Sequence, residues 1–96
     1  MKESDIQAQV RQVLTLCGWY VFRHHQSLGS HRGLSDLTAI KCGRTVWIEM
    51  KTPKGKLSAH QETFRDAVEA AGGEYRVVRC LEDIADLLNA REGSVC

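Results

Sequence analysis

Two apolar runs on either side of Cys42-Gly43 constrain this chain most, because Leu34 to Lys41 and Thr45 to Lys51 read as buried strands yet carry Asp36, Glu49 and Lys51. Runs rich in Val, Ile and Trp belong inside a domain. An ionised group there costs several kcal/mol unless it is paired or bound to a metal. Cys42-Gly43 fits a two-residue hairpin turn, with glycine at a position that tolerates positive φ, so the runs pair as antiparallel neighbours. Counting outward from the turn, Lys41 faces Arg44, Ile40 faces Thr45 and Asp36 faces Glu49, which brings the two carboxylates to about 5 Å at Cβ. Alternation turns Glu49 and Lys51 one way and Val46, Ile48 and Met50 the other, into packing. Two acids and a base collect at one end of one face.

Like charges at this distance repel, and the arrangement is favourable chiefly when a divalent cation sits between them or one carboxylate takes up a proton. Oxygen donors alone suit magnesium or manganese, hard ions that bind through one or two carboxylates plus a substrate phosphate. The expected substrate is a phosphodiester. Lys51 beside such an ion can orient or deprotonate the attacking water. An isolated Glu-x-Lys is commonly an ordinary pair on a solvated strand face; Asp36 and the apolar flanks weigh against that here.

The rest of the chain reads as helix, three strands, helix, strand, helix. Glu3 or Ser4 opens a first helix on which Ile6, Val10, Val13, Leu14 and Cys17 recur at helical spacing until Gly18. Trp19 to His25 is a first strand, and Gln26 to Gly33 a mobile loop of Ser, Gly and His leading to Asp36. After the hairpin, Thr52-Pro53-Lys54-Gly55-Lys56 breaks the strand, and Ser58 caps a helix that buries Phe64, Ala67, Val68 and Ala71. Tyr75 to Cys80 is a fourth strand. Leu81 to Ala90 reads as an amphipathic helix on Ile84, Leu87 and Leu88.

The series Gly33-Leu34-Ser35-Asp36-Leu37, then Glu49-Met50-Lys51, then Gln61 early in the next helix, resembles the PD-(D/E)xK nuclease superfamily and, within it, the VRR-NUC family. The resemblance runs from Glu3 to about Leu88, with Ser35 where the superfamily pattern has proline. It implies a restriction-endonuclease-like αβββαβ core with a mixed central sheet flanked by helices. It also implies that Asp36 and Glu49 bind Mg2+ or Mn2+, that Lys51 activates water, that Glu3 completes the metal-site environment, and that Gln61 supports the site. Structure-selective cleavage of branched DNA follows from it, since small standalone phage members resemble Holliday-junction resolvases.

Ninety-six residues make one domain, residues 1–96, able to bury roughly two-thirds of its unfolded surface, with 91–96 expected as a flexible tail. The net charge of +1 averages over an acidic C-terminal helix and a basic middle that includes His24, His25, His31, Arg32, Lys41, Arg44, Lys54 and Lys56. That middle fits a cleft tracking phosphates, with Lys54, Lys56, Arg32 and His25 as DNA contacts, although solvated lysines give the same composition. His24 and His25, adjacent on a strand, should face opposite sides of the sheet. A phosphate contact from His25 or His31 competes with plain surface exposure. Glu3 and Gln7 share a helix face that can overlie the metal end of the hairpin.

No segment approaches the roughly 18 apolar residues of a membrane span, and the first residues lack the apolar core of a signal peptide, so an intracellular protein is expected, in a bacterial host's cytoplasm if phage-encoded. Cys17, Cys42, Cys80 and Cys96 show no C-x-x-C pair, which argues against zinc and against a disulfide framework. With no recognition helix for the major groove, DNA structure is the expected determinant. Nicking both strands of a junction symmetrically then calls for a C₂ homodimer, with Leu87 and Leu88 as one possible surface. The alternatives are a flap- or end-directed nuclease of the same superfamily, a junction-binding module with a dead site, and an interaction domain whose charges form an internal salt-bridge network.

Overall fold

The computed structural model describes residues 2–25 and 29–88. In chain order these form α1 (Glu3–Leu16), β1 (Tyr20–Arg23), β2 (Leu37–Lys41), β3 (Arg44–Met50), α2 (Ala59–Ala70), β4 (Glu74–Val78) and a closing 3₁₀ helix (Leu81–Leu88). The sheet runs β1-β2-β3-β4 and is mixed, antiparallel at β1/β2 and β2/β3 and parallel at β3/β4. Parallel neighbours need a crossover, and α2 supplies it. This is the expected αβββαβ order.

The hairpin forms as its sequence requires. Cys42 and Gly43 both have positive φ, 54° and 81°, the geometry of a type I′ turn whose twist matches that of the flanking strands. The register follows from it, with Lys41 opposite Arg44 and Leu37 opposite Ile48. One sheet face is the core: Leu37, Ala39, Val46, Ile48 and Met50 meet Ile6, Val10 and Leu14 of α1, and Ile84 and Leu87 of the 3₁₀ helix. Trp19 closes it, its Nε1–H donating to the Leu87 carbonyl at 2.9 Å.

The second face is only half covered. Phe64 of α2 packs on Tyr75 of β4 with ring centroids 6.0 Å apart, whereas Tyr20 and Phe22 of β1 stay exposed. Ala67 and Ala71, expected in the core, are exposed too, because α2 touches the sheet through Phe64 and Val68 and leaves its next turn raised.

Other elements depart from expectation in type or extent. β1 stops at Arg23, since the chain must turn toward Asp36. The last helix is 3₁₀ in its described residues; its Ile84–Leu87 spacing of three suits that winding, and the Asp83 carboxylate accepts from the Arg79 amide at 2.8 Å to start it. Leu87 is buried and Leu88 packs against the core, so this apolar stripe is core and not a free surface. Cys42 is disulfide-bonded, against the expectation of four thiols, while Cys17 and Cys80 are free. Residues 91–96, including the expected flexible tail and Cys96, lie outside the described residues, as do 26–28 of the expected loop. No helix among the described residues is long and apolar enough to cross a membrane.

Candidate active site

The β2/β3 ladder ends at Leu37 and Ile48, and the next step outward holds Asp36 and Glu49, side by side on the second face. Asp36 lies in a bend, and its Oδ2 accepts the Met50 N–H at 2.8 Å where β2 no longer offers a carbonyl. Its own carbonyl accepts the His24 N–H at 2.8 Å, so β1 reaches the same row. Glu49 is 3 % exposed. One of its oxygens, Oε2, accepts from Gln61 Nε2 at 3.0 Å and lies 3.9 Å from Lys51 Nζ; the other, Oε1, is buried without a partner.

Burial is the main force on the Glu49 carboxyl. It pushes the group up to about 8, with Asp36 adding its charge and a hydrogen bond, Glu3 adding a little, and Lys51 pulling the other way. Without a cation, Glu49 therefore favours its protonated form at neutral pH. The Tyr75 hydroxyl, also buried without a partner, is raised above the ordinary tyrosine value by burial, then by Glu49 and Asp36.

Gln61 is aimed by its position in α2. Ser58 caps the helix by accepting the Gln61 N–H at 3.2 Å, and Gln61 Oε1 accepts the Ser58 N–H at 2.8 Å. Its amide nitrogen is thereby turned onto Glu49. Glu3, the first residue of α1, lines the rim of a cleft of about 370 Å3 together with Gln7, Arg23, His24, His25 and Asp36. The helix start thus borders the same cleft as Asp36. Among the described residues no group of three or more His, Cys, Asp or Glu is gathered closely enough to hold an ion, so the site is a two-carboxylate pair with Glu3 at its edge.

The histidines fall differently from expectation. His24 and His25 both line the cleft, which opens at the end of β1. The His24 ring bonds Thr38 Oγ1, and burial lowers its pKa against the opposing charge of Asp36, which favours the neutral ring. His31 rests edge-on against Phe64, with ring centroids 5.6 Å apart. Arg32 lies 3.4 Å from the His60 ring nitrogen. Two cations of the basic middle lie at the opposite end of the hairpin and are occupied there: Lys41 donates to the Cys17 carbonyl, and Arg44 forks onto Glu74.

Lys54 and Lys56 are exposed on the loop that follows Lys51. That loop is held by Arg79, a residue sequence reading passed over, whose Nη1 donates to the carbonyls of Thr52 at 2.7 Å and Gly55 at 2.5 Å. No local signal marks it, since its partners lie more than twenty positions away. Arg79→Ala should cost about 1–3 kcal/mol in urea unfolding, with Arg79→Lys restoring only part, because an ammonium lacks the guanidinium's fixed fork. Undiminished stability in the alanine variant would refute the clamp.

Gly33 had an unsuspected role as well. Its φ is +75°, and a Cβ there would lie 2.0 Å from the His60 carbonyl oxygen and 2.9 Å from the Gln61 nitrogen. The segment that delivers Asp36 is thus pressed against the turn that delivers Gln61.

No family model matches the sequence, and no curated protein matches it. Among solved structures, a VRR_NUC domain superposes with a TM-score of 0.77 at 20 % identity, covering 90 % of this chain and 92 % of that one. The chain therefore has the fold of a VRR_NUC domain, the architecture that its Asp36, Glu49-x-Lys51 and Gln61 series implied.

Proposed function

We propose that this chain is a divalent-metal-dependent DNA endonuclease that selects branched structure over base sequence, with the four-way junction as its reference substrate. The Asp36–Glu49 pair carries the reading: Glu49 is buried beside a second carboxylate that pushes its pKa up, one of its oxygens is unpartnered, and an ammonium stands alongside. Besides a proton, a hard divalent cation is the species able to occupy such a pair. Asp36 and Glu49 would hold Mg2+ or Mn2+, with Glu3 near by. When bound, the ion supplies charge neutralisation at the phosphate and lowers the pKa of water.

The remaining work falls to the chain's own groups. Gln61 fixes Glu49 through Oε2 and leaves Oε1 as the open acceptor. Lys51, 13 % exposed at its side chain, is confined to the Glu49 face, where its Nζ can orient the attacking water and oppose negative charge developing on the phosphate. Lys54, Lys56, Arg32 and His25, of which His25 lines the cleft, are the proposed contacts to the DNA backbone. Two copies related by a two-fold axis would present two such sites to a symmetric junction.

Purified protein incubated with a four-way junction, a flap and a linear duplex, with and without magnesium, tests the reading against an Asp36→Asn control. Cleavage by the wild type alone, and only with the cation, is expected. Equal cleavage by both proteins would end it. Neutralising Lys54 and Lys56 together should weaken binding on every base sequence and reduce the slope of log K against log salt by about 2, read from titrations at several salt concentrations. An unchanged slope would remove both from the interface.

A further inference from the structure

We propose that the bare half of the sheet is a stacking surface for unpaired nucleotides, on which Tyr20 and Phe22 guide a single-stranded arm of DNA into the cleft that Asp36 lines. The proposal rests on the nuclease reading. Tyr20, Phe22 and His24 alternate onto the second face along one strand direction, with ring centroids 5.6 Å and 5.3 Å apart. Tyr20 is 68 % and Phe22 37 % exposed, and α2, which covers the β3/β4 half of that face, does not reach them. The third ring, His24, stands in the row of Asp36 and Glu49, so the ladder leads from the open sheet edge to the acidic pair.

The spacing selects the ligand. Same-face residues of a strand repeat every ~6.6 Å, a step that an extended single strand can match ring by base, whereas the nucleotides of a duplex strand are stacked at about 3.4 Å. Neighbouring aromatic side chains on an open four-stranded sheet are a known way to hold two or three splayed bases. Charge agrees, since Arg23 and His25 line the cleft where the ladder ends and can meet the backbone of the arriving strand. A second copy of this chain is the rival occupant. Such a copy would give no reason for the rings to terminate at a cleft carrying these side chains.

Fluorescence anisotropy in EDTA decides, with a blunt duplex, the same duplex bearing an unpaired thymidine arm, and wild type compared with Tyr20→Ala, Phe22→Ala and Phe22→Trp. Each alanine variant should weaken binding of the armed duplex about tenfold and leave the blunt duplex within about twofold, while Phe22→Trp keeps the affinity. Tyr20 is exposed enough that its alanine variant folds, which melting confirms. Equal losses on both DNAs, or none on either, would overturn the proposal. So would sedimentation showing that the alanine changes split a wild-type dimer, which would give the face to a second copy. Wild type that binds neither DNA brings down the nuclease reading itself; wild type that cleaves branched DNA, with ladder variants that bind the arm normally, brings down the ladder alone.

Discussion

Glu49→Gln should abolish cleavage and at the same time make the cation-free protein more stable at pH 8. The two effects share one cause. Burial, reinforced by Asp36, raises the Glu49 carboxyl to about 8, whereas a glutamate in the unfolded chain titrates near ~4.3. Between those values the folded protein holds a proton that the unfolded chain has released, so stability is complete below the unfolded value and is lost as pH rises through the folded one. The slope is at most about 1.4 kcal/mol per pH unit. Glutamine has no proton to lose, its amide can donate to Asp36 as the Glu49 carboxyl does, and its oxygen can still accept from Gln61.

Urea melts in EDTA at pH 6, 7 and 8 should therefore fall with pH for the wild type and run flatter for the variant. At pH 8 the variant should lead by on the order of 1–3 kcal/mol. Magnesium should raise the wild-type melting temperature at pH 8 more than at pH 6, because cation and proton compete for the same oxygens, and should do little for the variant. Cleavage should drop by more than about a hundredfold, the loss typical of groups that merely support a metal ligand. Parallel pH slopes in the two proteins would show that Glu49 does not titrate in this window. A destabilised variant would favour the salt-bridge network instead.

Gly33→Ala is the second large effect, expected to lower cleavage about a hundredfold and stability by about 2–4 kcal/mol. The added methyl would meet backbone, at 2.0 Å from the His60 oxygen and 2.4 Å from its carbonyl carbon, and backbone cannot rotate aside as a side-chain tip can. Either the segment carrying Asp36 or the turn carrying Gln61 has to move. Both serve Glu49. Gly43→Ala is the control, because its φ is also positive but a Cβ there meets nothing within 4 Å. It should show the conformational cost of about 1 kcal/mol with cleavage intact. Similar activity losses in the two variants would mean that the close approach at Gly33 is not what holds the site together.

Much of this was legible in the residues, for a local reason. A two-residue turn fixes register, and register with alternation places Asp36, Glu49 and Lys51 on one face without knowledge of anything beyond the hairpin. Ser58-x-x-Gln61 is likewise a local capping device, and it oriented Gln61. What escaped depends on groups brought together from far along the chain. Arg79 reaches carbonyls in the 52–55 loop, Gly33 meets the start of α2, and His25 lines the cleft that opens at the end of β1. The exposure of Ala67 and Ala71 was hidden for the same reason: a helical stripe tells which side is apolar, not how closely the sheet approaches it. The basic middle misled by composition, since Lys41 and Arg44 sit at the turn, away from the acids.

The bond from the Met50 amide to the Asp36 carboxylate gives one side chain two duties. It acts as a missing rung, finishing the hydrogen bonding of β3 just where β2 bends away, while the same residue lines the cleft. Truncation to alanine would therefore unzip the end of the hairpin as well as remove a carboxylate from the cleft, and lost activity in that variant would say nothing about chemistry. Asparagine keeps an acceptor for the amide, so it separates a frayed strand from a disabled centre.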